Sequence, residues 1–109
     1  RSGGELVLTL GNVSLEPENG RVRVEGRELP LLKKEFDILL YFMQRPNHLV
    51  VKSVLAEAVW GDHADQADNF HFVYAQMKNL RRKLAEAGAT LELKAVYGFG
   101  YKLVPPTEE

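Results

Sequence analysis

The stretch NFHFVYAQMKNLRRKLAEA, residues 69–87, has the pattern of a long amphipathic helix, and the rest of the chain is most simply interpreted as its scaffold. At roughly 100° of rotation per residue, its apolar side chains fall on one narrow stripe. The stripe consists of Val73, Met77, Leu80 and Leu84. Such a stripe is typical of a helix that packs against a core. We therefore predict a helix over about 69–87 whose apolar side faces inward.

The opposite side of this helix is polar and carries positive charge. On the helical wheel it presents His71, Ala75, Lys78 and Arg82, flanked by Tyr74 and Asn79. Cations can hold phosphates, and an amide or a small side chain can read a base edge. This face therefore fits a nucleic-acid groove. From the residues alone, a solvated helix face without a partner remains open as the simpler interpretation.

Length and composition bound the rest of the chain. Its 109 residues fit one compact domain, and 45% hydrophobic with 27% charged residues is typical of a globular protein. We see no signal peptide and no apolar run near the roughly 18 residues of a membrane span. The absence of cysteine excludes disulfides and is compatible with a reducing cytoplasm, where we place the protein. A net charge of −1 argues against uniform polyanion binding but permits a local basic patch.

Short strands and turns are expected before the first helix. The segments LVLTL, NVSLE, RVRVE and RELPL, between residues 6 and 31, are separated by turn residues. Their alternation predicts a four-stranded antiparallel sheet with one solvated face. Arg21 and Arg23 are expected on that wet face rather than in a binding site.

Two helices should follow, over Lys33–Gln44 and Lys52–Trp60, with His48–Val51 as a short extended link between them. Leu32 stands where a capping side chain is preferred. We expect this to cost about 1 kcal/mol unless another group satisfies the free N–H groups. Gly61 is placed to end the second helix.

The loop GDHADQAD, residues 61–68, contains possible metal ligands. It lacks the glycine and the closing glutamate of a calcium loop, so we predict a solvated acidic loop without metal. Asp68 or Asn69 could cap the next helix. The negative charge could also serve a protein partner while repelling DNA phosphates.

A hairpin is predicted at the C-terminal end. Residues 90–96 and 101–104 have strand patterns and are joined by Tyr97-Gly98-Phe99-Gly100. A phosphate-binding glycine loop would need a helix to open after it, and none does. Five aromatic residues are expected in the core rather than as stacking platforms for single-stranded nucleic acid. They are Phe36, Phe42, Phe70, Phe99 and Tyr101.

Catalysis is not expected, because the three histidines are scattered and lack a serine or cysteine partner at a meaningful spacing. We predict no catalytic residue, no cofactor and no metal. The expected fold is α+β, a winged helix-turn-helix with an N-terminal four-stranded sheet, three helices and a C-terminal hairpin. The domain should span residues 5–105, between a tag or linker remnant at 1–4 and a tail at 106–109.

Four motifs in order carry a resemblance to a known family. They are Glu35-Phe36-x-Ile38-Leu39-Leu40, Val59-Trp60-Gly61, Met77-x-x-Leu80-Arg81-Arg82-Lys83-Leu84 and Val96-Tyr97-Gly98-Phe99-Gly100-Tyr101. Together they resemble the OmpR/PhoB-type winged-helix effector domain of bacterial response regulators, over roughly residues 6–104. The resemblance implies the fold given above.

The resemblance also implies the function of a two-component output domain that controls transcription. Such domains bind direct-repeat sites on double-stranded DNA, with the third helix in the major groove and the hairpin, about 91–104, near the minor groove. They usually follow a receiver domain served by a cognate histidine kinase, and no receiver is present in this sequence. We expect the isolated domain to be monomeric and to form a tandem dimer on DNA. RNA polymerase would contact the loop through Asp62, His63, Asp65, Gln66 and Asp68.

Carried over position by position, the family's DNA-binding positions are His71, Phe72, Tyr74, Ala75, Gln76, Lys78, Asn79, Arg81, Arg82, Tyr97 and Tyr101. Asn79 is the candidate for pairing with adenine and Ala75 for contact with a thymine methyl. Lys78, Arg81 and Arg82 would hold phosphates. Tyr97 stands where the wing commonly carries an arginine. The alternative function is a protein-interaction module without DNA specificity, which would show no steep salt dependence.

Overall fold

The computed structural model describes residues 6–61 and 71–106. The chain starts with four strands, β1 (Leu8–Leu10), β2 (Val13–Glu16), β3 (Arg21–Val24) and β4 (Arg27–Glu28). Then come α1 (Lys33–Met43), β5 (Leu49–Val51), α2 (Lys52–Trp60) and α3 (His71–Ala87). The strands β6 (Glu92–Val96) and β7 (Gly100–Val104) complete the order. The predicted α+β winged-helix architecture is confirmed, while the predicted start of α3 at Asn69 lies outside the described residues.

The N-terminal sheet has the order β1-β2-β3-β4 and is antiparallel throughout, as predicted. Alternation buries Val13, Leu15, Val22 and Val24, which form cross-strand pairs on the inner face. The other face is polar, where Arg23 pairs with Glu16 and Arg21 lies 3.5 Å from Glu28. These pairs place both arginines on the polar side of the sheet.

The apolar stripe of α3 packs into the core, because each of its four residues is at most 3% exposed. From α1, the residues Ile38, Leu39 and Phe42 bury themselves completely in the same core. Leu55 and Ala56 of α2 are also buried, whereas Val59 is only partly so. Within the described ranges, no helix combines the length and apolar character needed to cross a membrane.

The side chain of Glu35 accepts a hydrogen bond from a backbone N–H at the start of α1, where the sequence predicts a weak cap. The side chain of Leu32 makes no capping hydrogen bond, having no acceptor to offer. Instead, the backbone N–H of Leu32 donates to Oε1 of Glu35 at 2.8 Å. Half of a capping box is therefore present, since the N3 carboxylate reaches back to the N-cap N–H. This bond offsets part of the expected cost.

The C-terminal sheet contains a third strand that the sequence does not predict. Residues 49–51, expected as an extended link, form β5 and pair antiparallel with β7, so that the sheet order is β5-β7-β6. Gly100 makes the close approach possible. A Cβ atom on it would lie 2.1 Å from the carbonyl oxygen of Val50. The expected hairpin is thus confirmed as β6 and β7, but it is joined to the helices by a strand.

Candidate nucleic-acid interface

The outward side of α3 forms a continuous exposed surface, which we call the α3 ridge. Its exposed members are His71, Tyr74, Ala75, Lys78, Arg81 and Arg82. Asn79 lies beside them and is half-buried. The ridge exists because the buried stripe fixes which way the helix faces, so the residues about half a turn away must point to solvent. It includes the residues that the wheel selects and one further cation, Arg81.

Three cations concentrate positive charge on the ridge. Nη1 of Arg82 lies 3.4 Å from Oε1 of Glu86, but both side chains are more than half exposed. Exposed pairs of this kind contribute little free energy, so Arg82 can exchange its partner for a phosphate. Lys83 differs, since its side chain is only 25% exposed and is paired with Glu35. The local positive charge therefore comes from Lys78, Arg81 and Arg82, although the whole chain carries −1.

Two other predicted DNA-binding residues of α3 pack against the protein. Phe72 is half-buried and meets Trp60 edge to face, with ring centroids 4.7 Å apart. Gln76 is half-buried as well, and its Oε1 atom is buried without a hydrogen-bond partner among the described residues. Both side chains are less accessible than the ridge. Their contact with DNA stays a prediction.

The wing places its two predicted tyrosines in opposite surroundings. Tyr101 is 8% exposed, and burial raises the pKa of its hydroxyl. Neighbouring Tyr74 raises this pKa further while Arg81 lowers it, so the Tyr101 hydroxyl lies close to the ridge. In contrast, Tyr97 at the tip is 98% exposed. Only Tyr97 of the pair offers its ring to a ligand.

Phe99 corrects one expectation, because it is 60% exposed rather than part of the core. It lies in the turn between β6 and β7, and its N–H donates to the carbonyl of Val96 at 2.9 Å. Gly98 adopts φ 81 at this turn, a conformation that other residues rarely adopt. The turn therefore presents two exposed aromatic side chains, Tyr97 and Phe99. Phe36, Phe42 and Tyr101 are buried as expected, and Phe70 lies outside the described residues.

An open groove of about 580 Å³ runs between α3 and β6. Lys78, Arg81 and Arg82 line its helix side, and Thr90 and Glu92 lie on the other. The cations of the groove therefore all lie on its α3 side, while the side towards the wing is neutral or acidic. Because the groove is open and one wall is the ridge itself, it extends the same surface rather than forming a separate pocket.

Comparison with known proteins identifies the family. The family model described as "Transcriptional regulatory protein, C terminal" matches residues 26–103. The chain belongs to this family. The match confirms the resemblance to OmpR/PhoB-type effector domains and covers all three helices and both wing strands.

Relatives in this family include bacterial response regulators. The response regulator RppA of Synechocystis sp. is 36% identical, with 88% of this chain and 44% of RppA covered. The regulatory protein VanRB of Enterococcus faecalis is also 36% identical, covering 86% of this chain and 40% of VanRB. The chain therefore spans less than half the length of these relatives. A solved structure, the Klebsiella pneumoniae RstA DNA-binding domain in complex with the RstA box, superimposes with a TM-score of 0.76 at 25% identity. The superposition covers 91% of this chain and 97% of the RstA chain.

Two contacts that the sequence does not predict hold α3 of this family member from behind. At its C-terminal end, Nδ2 of Asn12 donates to the carbonyl of Gly88 at 2.9 Å, and the N–H of Thr90 donates to Oδ1 of Asn12 at 2.9 Å. The pair of Glu35 and Lys83 is the second. The partners lie 76 and 78 residues apart in the first contact and 48 apart in the second, so no local pattern signals either.

The acidic loop is the predicted contact for RNA polymerase. Asp62, His63, Asp65, Gln66 and Asp68 lie outside the described residues, so their polymerase contact stays a prediction. Within residues 6–61 and 71–106, no group of three or more His, Cys, Asp or Glu side chains could hold a metal ion.

Proposed function

We propose that this family member is the output domain of a two-component response regulator and binds double-stranded DNA sequence-specifically to control transcription. The α3 ridge is the observation that supports this most directly. It combines three exposed cations with an adjacent amide on a helix whose other side is fixed in the core. An α-helix fits the major groove, and this combination supplies both phosphate contacts and base readout.

In this proposal the side chains of the ridge divide the work. Lys78, Arg81 and Arg82 hold phosphates and fix the register of the protein on the duplex. Asn79 pairs with adenine, and Ala75 contacts a thymine methyl. Because Asn79 is half-buried at the side of the ridge, its amide has few alternative orientations in which to bond to another base.

The wing approaches the minor groove through its tip. Tyr97 cannot supply the positive charge that a narrow minor groove attracts. Its exposed ring, together with the exposed Phe99 in the same turn, contacts sugar and base edges by apolar packing and one hydroxyl group instead. We therefore expect the wing to add affinity without a preference for A-tracts.

The response regulators RppA and VanRB are more than twice as long as the matched region, which leaves room in them for a further domain. Further partners therefore belong to the same proposal. They are a receiver domain, its cognate histidine kinase and RNA polymerase, the last contacting the acidic loop at 62–68. One domain, residues 5–105, would act in the cytoplasm without catalysis or cofactor. It would be monomeric in isolation and bind direct repeats as a tandem dimer. A stable dimer in sedimentation without DNA would contradict the monomeric state of the isolated domain.

The test is selection from a randomised double-stranded DNA pool, followed by sequencing, for the parent and for Asn79→Ala. Asn19→Ala is the matched control, since Asn19 is an exposed asparagine whose side chain bonds only locally, to Glu16. We expect the parent to enrich a repeated half-site. Asn79→Ala should relax the preference at one position by about 1–3 kcal/mol, and Asn19→Ala should leave it unchanged.

A protein-interaction module is the second candidate, and an exposed apolar surface favours it. Leu49, Val51 and Val54 are each more than a third exposed and line one shallow groove. If the parent enriches no sequence, and its weak binding to DNA hardly changes with salt, this candidate replaces the first.

A further inference from the structure

Glu35 is a fully buried carboxylate, 0% exposed, on the side of α1 that faces α3. Its Oε1 atom accepts two hydrogen bonds, from the N–H of Leu32 at 2.8 Å and from Nζ of Lys83 at 2.7 Å. Its Oε2 atom is buried without a partner among the described residues. One carboxylate oxygen thus joins the start of α1 to the second half of α3.

Stability alone does not account for this arrangement. Taking the Glu35 carboxylate fully and the Lys83 ammonium largely out of water can cost more than a single pair returns, and a well-packed apolar pair of similar volume is commonly at least as stable. The unpartnered Oε2 adds to the cost. The pair instead fixes the relative position of the two helices. A hydrogen bond holds its partners within a few tenths of an ångström, whereas apolar contact is non-directional.

Lys83 is placed on α3 so that its hydrogen bond to Glu35 can control the rotation of the helix about its own axis. It lies four residues after Asn79, about one helical turn, and therefore on the same side of the helix. Side-chain tips lie about 5–6 Å from the helix axis, so a rotation of about 20° would move the Asn79 amide by about 2 Å. A bidentate bond to a base does not survive such a displacement.

We infer that the Glu35–Lys83 pair is a positioning contact, which sets the rotation of α3 and thereby the discrimination between bases at Asn79. The pair itself does not touch DNA. The inference rests on the proposed function. It predicts that breaking the pair changes specificity while the number of phosphate contacts stays the same, because the long cations of the ridge can follow a small rotation and Asn79 cannot.

The test uses the half-site that the parent selects and the same site with the base pair read by Asn79 exchanged. The ratio of the two Kd values measures discrimination, and the slope of log Kd against log salt counts phosphate contacts. The main variant is Glu35→Gln/Lys83→Met. It keeps an acceptor for the Leu32 N–H and fills the volume of both side chains but removes the charged pair. Lys83→Arg preserves the pair, and Lys33→Met removes a lysine whose pair with Asp37 lies within α1.

We expect the double variant to lose about tenfold in discrimination with an unchanged salt slope. Lys83→Arg and Lys33→Met should behave as the parent. Glu35→Gln/Lys83→Leu, which also removes the donor at position 83, is a second double variant should the first unfold. Full discrimination in either double variant, if it folds, overturns the inference, as does unfolding of both, which would make the pair a stability contact. If the parent selects no site, the proposed function fails instead.

Discussion

Removal of two ridge cations should reduce the salt dependence of DNA binding by a calculable amount. We consider Arg81→Gln/Arg82→Gln. Each phosphate contact contributes roughly 0.9 to the slope of log affinity against log salt, so two contacts contribute about 1.8. Between 50 and 200 mM salt, a fourfold change, the parent should therefore lose about 12-fold more affinity than the variant. The weak pair of Arg82 with Glu86 does not reduce this difference much, because both side chains are exposed.

The structure offers a closely matched control in Arg21→Gln/Arg27→Gln. The side chain of Arg21 is 55% exposed and lies 3.5 Å from Glu28, while that of Arg82 is 55% exposed and lies 3.4 Å from its own glutamate. Both double variants remove two positive charges, so a mere change in net charge would affect them equally. Fluorescence anisotropy with a labelled duplex at several salt concentrations gives both slopes. Equal slopes for the two variants would refute the assignment of phosphate contacts to α3.

Two further predictions concern the scaffold. Gly100→Ala should lower the free energy of unfolding by about 3 kcal/mol or more, because its Cβ would lie 2.1 Å from the Val50 carbonyl oxygen and force β5 away from β7. Gly98→Ala has open space and only its positive φ to oppose it, so it should cost about 1–2 kcal/mol, and urea titrations showing the reverse order would contradict this. Hydrogen bonds from Asn19 and then Arg23 lower the pKa of Glu16, so its contribution to stability is present above its ordinary value of 4.5 and is lost as the pH falls through the lowered value. Urea titrations between pH 6 and 2 should accordingly show a shallower acid loss for Glu16→Gln, and a curve parallel to that of the parent would exclude this role.

The elements that the sequence predicts are those whose signals are local. The stripe of α3 and the alternation of β2 and β3 each depend on neighbouring residues, and all of them appear at the expected positions. The sequence does not predict the strand β5 because three residues are too few to show an alternation of apolar and polar side chains. Their identity as a strand depends on pairing with β7, about 50 positions later. The glycine that permits this pairing, Gly100, looks from the sequence like part of a loop.

In the candidate site, too, the sequence predicts the features with a local signal and does not predict those that depend on distant contacts. A helical wheel is sufficient to find the ridge, since it needs only the direction of the buried stripe. Family positions add Phe72, Gln76 and Tyr101, but they do not show which side chains turn inward, and these three do. The partner of Lys83 lies 48 residues away in the chain, so its inward direction had no sequence signal. Beside Arg81 and Arg82 it looks like one more surface cation.

Three of the described contacts that hold α3 lie away from the ridge. Trp60 meets Phe72 near its start, Glu35 binds Lys83 in its second half, and Asn12 bonds to Gly88 just after its end. Because none of these groups belongs to the ridge, substitutions of the ridge cations Lys78, Arg81 and Arg82 should alter DNA binding with little change in stability. Substitutions at the three contacts act through the placement of the helix, so they should alter both. Separate anchoring and reading surfaces would allow one scaffold to present different ridges to different DNA sequences.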